Sequence, residues 1–267
     1  MDSKFWDAYV NYYTITIDCL LIIGIYFFLK LPKEKKANST YWLPLLIIGF
    51  SVFYEAFGAY ANYNFEFKKA VNAFLGNTEN PKYNIWIYNI TNKQISTLLN
   101  LLLIKKLIEP TKKIYLRWMI IFFIMVAIIL QLTGVEPLYL NQPIIAVMAA
   151  SMILIGSGLY FIGLISNEQY LNSKPIHLIS FWLMTFLLFT YSLTYINSVA
   201  RIYIYEINPQ IALSLAHIDR ILGIFLRLTL LLIIISPMLP KVFNKEPSFE
   251  FKSSKKPGKA SDLSSQI

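Results

Sequence analysis

The sequence predicts an all-α polytopic membrane bundle of about seven transmembrane helices, with the N-terminus outside and the C-terminus in the cytoplasm. Two observations support this fold class. Of the 267 residues, 56% are hydrophobic and 15% are charged, whereas about a quarter of an ordinary soluble domain is charged. The apolar residues also lie in runs close to the roughly 20 residues that a helix needs to cross a hydrocarbon core. The predicted bundle takes up residues 1–240.

Prolines and tryptophans mark the ends of the seven apolar runs. A proline falls in every connection, because its missing N–H interrupts a continuing helix. Each of the five tryptophans lies near the beginning of a run, at the depth of lipid headgroups. The predicted spans are 9–29, 42–63, 84–104, 116–133, 144–166, 176–199 and 215–237. The third is unusually polar and the fourth is short. Between the second and third, FEFKKAVNAFL predicts a short interfacial helix.

Lysine and arginine are divided unevenly between the two sides of the predicted bundle. Sixteen lie in the first, third and fifth connections and after the last span, and five lie on the other side. Cytoplasmic loops have the excess of these residues, so the side with sixteen is predicted to be cytoplasmic and to attract anionic lipid headgroups. Residues 241–267 are rich in serine, lysine and glycine, which predicts a basic, disordered cytoplasmic tail. The Ile, Lys and Asn bias favours a bacterial cytoplasmic membrane.

Ionisable side chains within spans mark the candidate functional region, since each costs about 2.5 to 3.5 kcal/mol on insertion scales. Depths taken from helical rise place most of them in one layer in the outer half of the bundle. In the third span, helical spacing puts Asn89, Lys93, Ser96 and Asn100 on one stripe. The predicted layer consists of Asp18, Glu55, Asn89, Lys93, Asn197, His217, Asp219, Arg220 and Arg227. It is either a polar ligand pocket open to the outside or a set of buried ion pairs that fixes helix register.

Several chemistries are disfavoured by the residues that the chain lacks. A retinal protein needs a Schiff-base lysine in its last span, where the long basic side chains are Arg220 and Arg227. A zinc site needs ligands that converge on one ion, but His177 and His217 are predicted at opposite membrane surfaces. The sequence also has no glycine-rich phosphate loop and no nucleic-acid motif. We therefore expect no metal, no other cofactor and no nucleic-acid partner.

A receptor-like or sensor module is the leading functional hypothesis, because it needs only a pocket accessible from outside and a route to the cytoplasm. No effector domain is recognised, so signalling would require a cytoplasmic partner protein. Three alternatives stay open. The first is a proton-coupled transporter component that uses Asp18, Glu55 and Asp219. The second is a metal-independent intramembrane lipid-modifying enzyme that uses Glu55 or Asp18 with His217, and the third is a structural membrane scaffold. No nucleophile motif favours the enzyme, and no catalytic residue is assigned.

Overall fold

The computed structural model describes residues 3–171, 174–244 and 246, and none of these residues forms a strand. Six of its helices are long and apolar enough to cross a membrane, which confirms an all-α multi-pass bundle. The helices are α1 (Ser3–Tyr9), α2 (Tyr12–Lys30), α3 (Lys33–Ala37), α4 (Ser39–Tyr63), α5 (Phe65–Phe74), α6 (Ile85–Tyr88), α7 (Ser96–Leu107), α8 (Lys113–Leu132), α9 (Pro143–Ser166), α10 (Glu168–Leu171), α11 (Ile179–Ile207) and α12 (Pro209–Ile235). The six membrane-length helices are α2, α4, α8, α9, α11 and α12.

Asparagines begin four of these helices. The side chains of Asn11, Asn38, Asn64 and Asn208 each accept a hydrogen bond from a backbone N–H in the first turn of α2, α4, α5 and α12. Such caps satisfy donors that have no partner inside the helix. Since capping does not depend on hydropathy, α4 and α12 begin before the apolar spans predicted from sequence. Helix α11 begins within its predicted span and ends beyond it.

The predicted third span is helical but interrupted. A π-helical segment, Asn89–Ile95, separates α6 from α7, so residues 85–107 form a broken rod rather than a seventh uniform helix. At one end, Asn89 donates hydrogen bonds to the carbonyls of Leu138 and Leu140, just before α9 begins. At the other end, the Tyr170 hydroxyl donates to the Leu107 carbonyl, just after α9 ends. The broken rod therefore runs parallel to α9, in the same chain direction, along its whole length.

Six rods form a closed ring. Each of α2, α4, the broken rod, α9, α11 and α12 packs against the next, and α12 packs against α2 to complete the circle. Small residues allow close approach, as at Gly156, where an added Cβ would lie 3.3 Å from a methyl of Leu116 and 3.4 Å from Ile104. Helix α8 packs outside the ring against α7 and α9, and residues such as Trp118 on its outer face are exposed to the surroundings of the bundle.

Connections that were predicted to share a side of the membrane meet at the same end of the bundle. Asn167 donates a hydrogen bond of 2.9 Å to the Glu109 carboxylate, which joins the third and fifth connections. The backbone N–H of Ser180 donates to Glu246, which brings the chain after α12 to the beginning of α11. We call this lysine-rich end the basic end, and the end that contains the 64–84 and 133–142 loops the opposite end. Beyond residues 241–244 and 246, the predicted tail lies outside the described residues.

Candidate functional site

A cavity of about 580 Å³ lies inside the ring. Side chains from all six ring members line it, together with the cap residue of α2, and most of them are polar or charged. The lining residues are Asn11, Tyr13, Ile47, Ser51, Tyr54, Glu55, Tyr88, Asn92, Lys93, Ser96, Thr97, Asn100, Ala146, Ala149, Thr190, Tyr191, Thr194, Asp219, Arg220, Gly223, Leu226, Arg227 and Leu230.

The cavity is displaced toward the opposite end of the bundle. On α9 its lining residues are Ala146 and Ala149, within the first two turns after the 133–142 loop. On α12 the lining extends from Asp219 to Leu230, which is roughly 16 Å at the helical rise of about 1.5 Å per residue. The cavity therefore reaches from near the opposite end to about the middle of the bundle.

Glu55, on α4, lies where this cavity meets a second one of about 380 Å³. Tyr54, Glu55 and Tyr88 line both cavities. Arg227 and, more weakly, Arg220 exert an electrostatic influence on the Glu55 carboxylate. Within the described part of the chain, however, the carboxylate makes no hydrogen bond and no ion pair within 4.0 Å. Glu55 thus shares the cavity lining with two positively charged side chains and contacts neither of them.

Arg227 projects from α12 and is only partly satisfied. Its Nη1 donates a hydrogen bond of 2.9 Å to the Gly223 carbonyl one turn earlier, and its guanidinium carbon lies 5.5 Å from the centroid of the Tyr13 ring. Its Nε is buried and has no hydrogen-bond partner among the described residues. A buried donor without a partner costs about 1 to 3 kcal/mol. The guanidinium is therefore held in position by its own helix and by Tyr13, with hydrogen-bonding capacity left over.

Lys93, in the π-helical segment, connects the cavity to the 133–142 loop. Its ammonium donates hydrogen bonds of 3.0 Å to the Asn141 side-chain oxygen and 3.1 Å to the Gln142 carbonyl. It also lies 5.5 Å from the centroid of the Tyr88 ring. With 8% of its surface exposed, Lys93 is the most deeply buried charged residue of the lining. Its contacts hold the end of the 133–142 loop against the cavity wall.

The inner part of the cavity contains two further polar groups without a partner. Asn100 donates to the Tyr191 hydroxyl at 3.1 Å and to the Ser96 carbonyl at 2.9 Å. The Asn100 Oδ1 and the Thr190 Oγ1, in contrast, are buried without a hydrogen-bond partner in the described structure. Native interiors leave few such atoms unpaired, and these two belong to the same lining.

The nine residues of the predicted layer are only partly brought together. Glu55, Lys93, Asp219, Arg220 and Arg227 line the cavity. Asp18 instead accepts hydrogen bonds of 2.8 and 2.9 Å from the Tyr9 hydroxyl. Asn89 binds the 133–142 loop, while Asn197 and the exposed His217 line neither cavity described here.

The predicted layer omitted the tyrosines of the lining. Tyr13, Tyr54 and Tyr191 contribute to the wall, but tyrosine near a membrane interface is expected for reasons of lipid contact alone. The sequence therefore could not distinguish tyrosines that contact lipid from tyrosines that line a cavity, and only their positions in the structure do so. No protein-family model matches the chain, and no significant match is found among curated proteins or solved structures.

Proposed function

We propose that this protein is a receptor-like or sensor module of seven spans, with a cavity that binds a small polar ligand from outside the cell. The observation that supports this most directly is Glu55, a carboxylate in the cavity with no described partner although Arg227 lies in the same lining. Charges that are buried only to hold helices together are normally in direct contact, since an uncompensated buried charge is strongly destabilising. A ligand that enters the cavity would supply the missing contacts.

The proposed topology counts the broken rod as the seventh crossing and places the basic end in the cytoplasm. In its support, the rod runs the full length of α9, and α9 is long and apolar enough to cross a membrane. The lysine-rich connections share one end, as the rule for cytoplasmic loops requires. The cavity then opens toward the outside, with the N-terminus on the same side.

A route for the signal is offered by α11 and α12. The two helices pack against each other and both line the cavity. At the basic end, the chain that follows α12 returns to the beginning of α11, where Ser180 holds Glu246. A ligand that changes the packing of α11 on α12 would therefore change the surface offered to a cytoplasmic partner protein or to anionic lipid.

The proposal is tested by the access of water-soluble reagents to the cavity. In a Cys19→Ser background, Ser51→Cys places a thiol in the cavity wall, while Ser157→Cys places one in the core of α9 outside both cavities. A membrane-impermeant thiol reagent added outside intact cells should modify the first variant and not the second. Equal reactivity of the two variants, or no reaction at Ser51→Cys, would contradict an outward-open cavity.

A proton-coupled transporter component is the second candidate. Two observations favour it: Glu55 lies at the junction of two cavities, and the rod beside it is broken by a π-helical segment. π-Helical segments are frequent at functional sites, and intramembrane carboxylates serve as proton relays in transporters. In proteoliposomes this function requires solute-driven proton movement that is lost in Glu55→Gln, whereas a sensor requires binding without flux.

A further inference from the structure

On the basis of the proposed function, we infer that the cavity binds a small zwitterion of the amino-acid class, with its carboxylate at Arg227 and its ammonium at Glu55. This inference concerns the chemical class of the ligand. It depends on two charged groups of the lining, Glu55 and Arg227, that have unmet hydrogen-bonding capacity and do not form an ion pair with each other.

The first step is the charge that the cavity leaves uncompensated. Glu55 has no described hydrogen bond or ion pair, and Arg227 engages one carbonyl of its own helix while its Nε has no partner. A ligand with a single charge would satisfy one of these groups and leave the other buried beside it. A ligand with both a positive and a negative charge compensates Glu55 and Arg227 together. It thereby offsets most of the cost of burying these two side chains away from water.

The second step is that the two groups are opposed but separate. Both line the same cavity and interact electrostatically, yet they are not within the 4.0 Å of an ion pair. Tyr13 and the Gly223 carbonyl hold the guanidinium on α12, and Glu55 projects from α4, which packs directly against α12. The two charges are therefore carried by neighbouring helices without contacting each other, and an amino acid, whose own two charges lie a few atoms apart, can contact both.

The third step is the chemistry of each wall. A guanidinium binds a carboxylate through several N–H groups at once, and Arg227 keeps donors free for it. Near Glu55, Tyr54 supplies an aromatic ring, whose face attracts an ammonium group, while the Tyr88 ring already has the Lys93 ammonium beside it. At about 580 Å³ the cavity lies in the usual size range of small-molecule sites and leaves space for a side chain beyond the two charged groups.

The test uses the purified full-length protein and measures binding by thermal shift. The probes are the twenty common amino acids, each with its amide, which lacks the carboxylate, and its N-acetyl derivative, which lacks the ammonium. At least one amino acid should stabilise the protein. Its two derivatives should each bind about 30-fold more weakly or worse, because each leaves one charge of the protein buried and unpaired.

Variants assign each end of the probe to its residue. Glu55→Gln should weaken binding of the amino acid by about 30-fold but not that of its N-acetyl derivative, and Arg227→Gln should spare the amide in the same way. Asp18→Asn is the matched control, because Asp18 is an acidic residue of α2 that does not line the cavity. This variant should bind the amino acid with the affinity of the wild type.

The outcomes separate this inference from the proposed function. If an amino acid and one of its derivatives bind equally well, recognition uses one charge and the inference is wrong. It is also wrong if no amino acid binds while Ser51→Cys still reacts from outside, a result that leaves the outward-open cavity standing. If Ser51→Cys does not react, the cavity is closed to the outside and both proposals fail.

Discussion

Replacing Lys93 by methionine should destabilise the protein by about 2 to 4 kcal/mol. The substitution keeps most of the length of the side chain but removes the ammonium that binds the Asn141 side chain and the Gln142 carbonyl. A hydrogen bond to a charged group contributes about 1.5 to 3 kcal/mol, and two such bonds are lost. Relief from burying an ammonium offsets part of this loss, since Lys93 is only 8% exposed.

The measurement is thermal unfolding of the detergent-purified protein, combined with hydrogen exchange of the 133–142 loop. The loop should exchange faster in Lys93→Met, because the variant frees its last residues from the broken rod. Asn141→Leu provides the second arm of a double-mutant cycle, in which the two changes should couple by about 1 kcal/mol. The reasoning fails if the free energy of unfolding of Lys93→Met lies within about 0.5 kcal/mol of the wild-type value and the 133–142 loop exchanges at the same rate. Lys93 would then not hold the loop.

Three further predictions concern the ends of the bundle. The Glu136 carboxylate accepts hydrogen bonds from two backbone N–H groups at the beginning of α9, at 2.6 and 2.9 Å. Glu136→Ala should lower the free energy of unfolding, measured by thermal unfolding, by about 2 to 4 kcal/mol. Glu136→Gln should lower it less, because glutamine keeps one acceptor. Asn72 donates to three backbone carbonyls of the 64–84 loop, so Asn72→Ala should make that loop sensitive to proteases while the bundle stays intact. Burial raises the pKa of Glu246 against the lowering effect of its hydrogen bonds from Ser180. Because the pKa is higher when Glu246 is bound at the beginning of α11, this binding should be strongest below the ordinary pKa of glutamate and weaken as pH rises through the raised value. Hydrogen exchange of the Ser180 backbone N–H measures the effect, which Glu246→Gln should abolish; protection that increases with pH would contradict it.

The fold class was largely predictable because burial in lipid depends on local composition. Residues 42–63 and 144–166 were placed in spans from hydropathy alone, and α4 and α9 contain them. Lysine positions likewise grouped the connections that the structure brings to the basic end. These signals are readable one segment at a time, since each span must satisfy its own backbone hydrogen bonds in the membrane.

The broken rod shows where one-dimensional spacing fails. Helical periodicity put Asn89 on the same stripe as Lys93, Ser96 and Asn100, but only the last three line the cavity. The π-helical segment has more residues per turn than an α-helix, so it rotates Asn89 away from the stripe and toward the carbonyls of the 133–142 loop. Nothing in the local sequence, which contains neither glycine nor proline, indicates this interruption.

The sequence by itself determined that the chain is an all-α membrane bundle, where most of its spans lie and which connections share a side. Only the tertiary structure decided which polar residues meet: Glu55 and Arg227 line one cavity, whereas Asp18 binds Tyr9 outside it. The physical reason is that the hydropathy of a segment determines which of its residues lie within the membrane, and so its position along the membrane normal. The rotation of a helix about its axis depends on how side chains from different spans pack against one another, and that information exists only between helices.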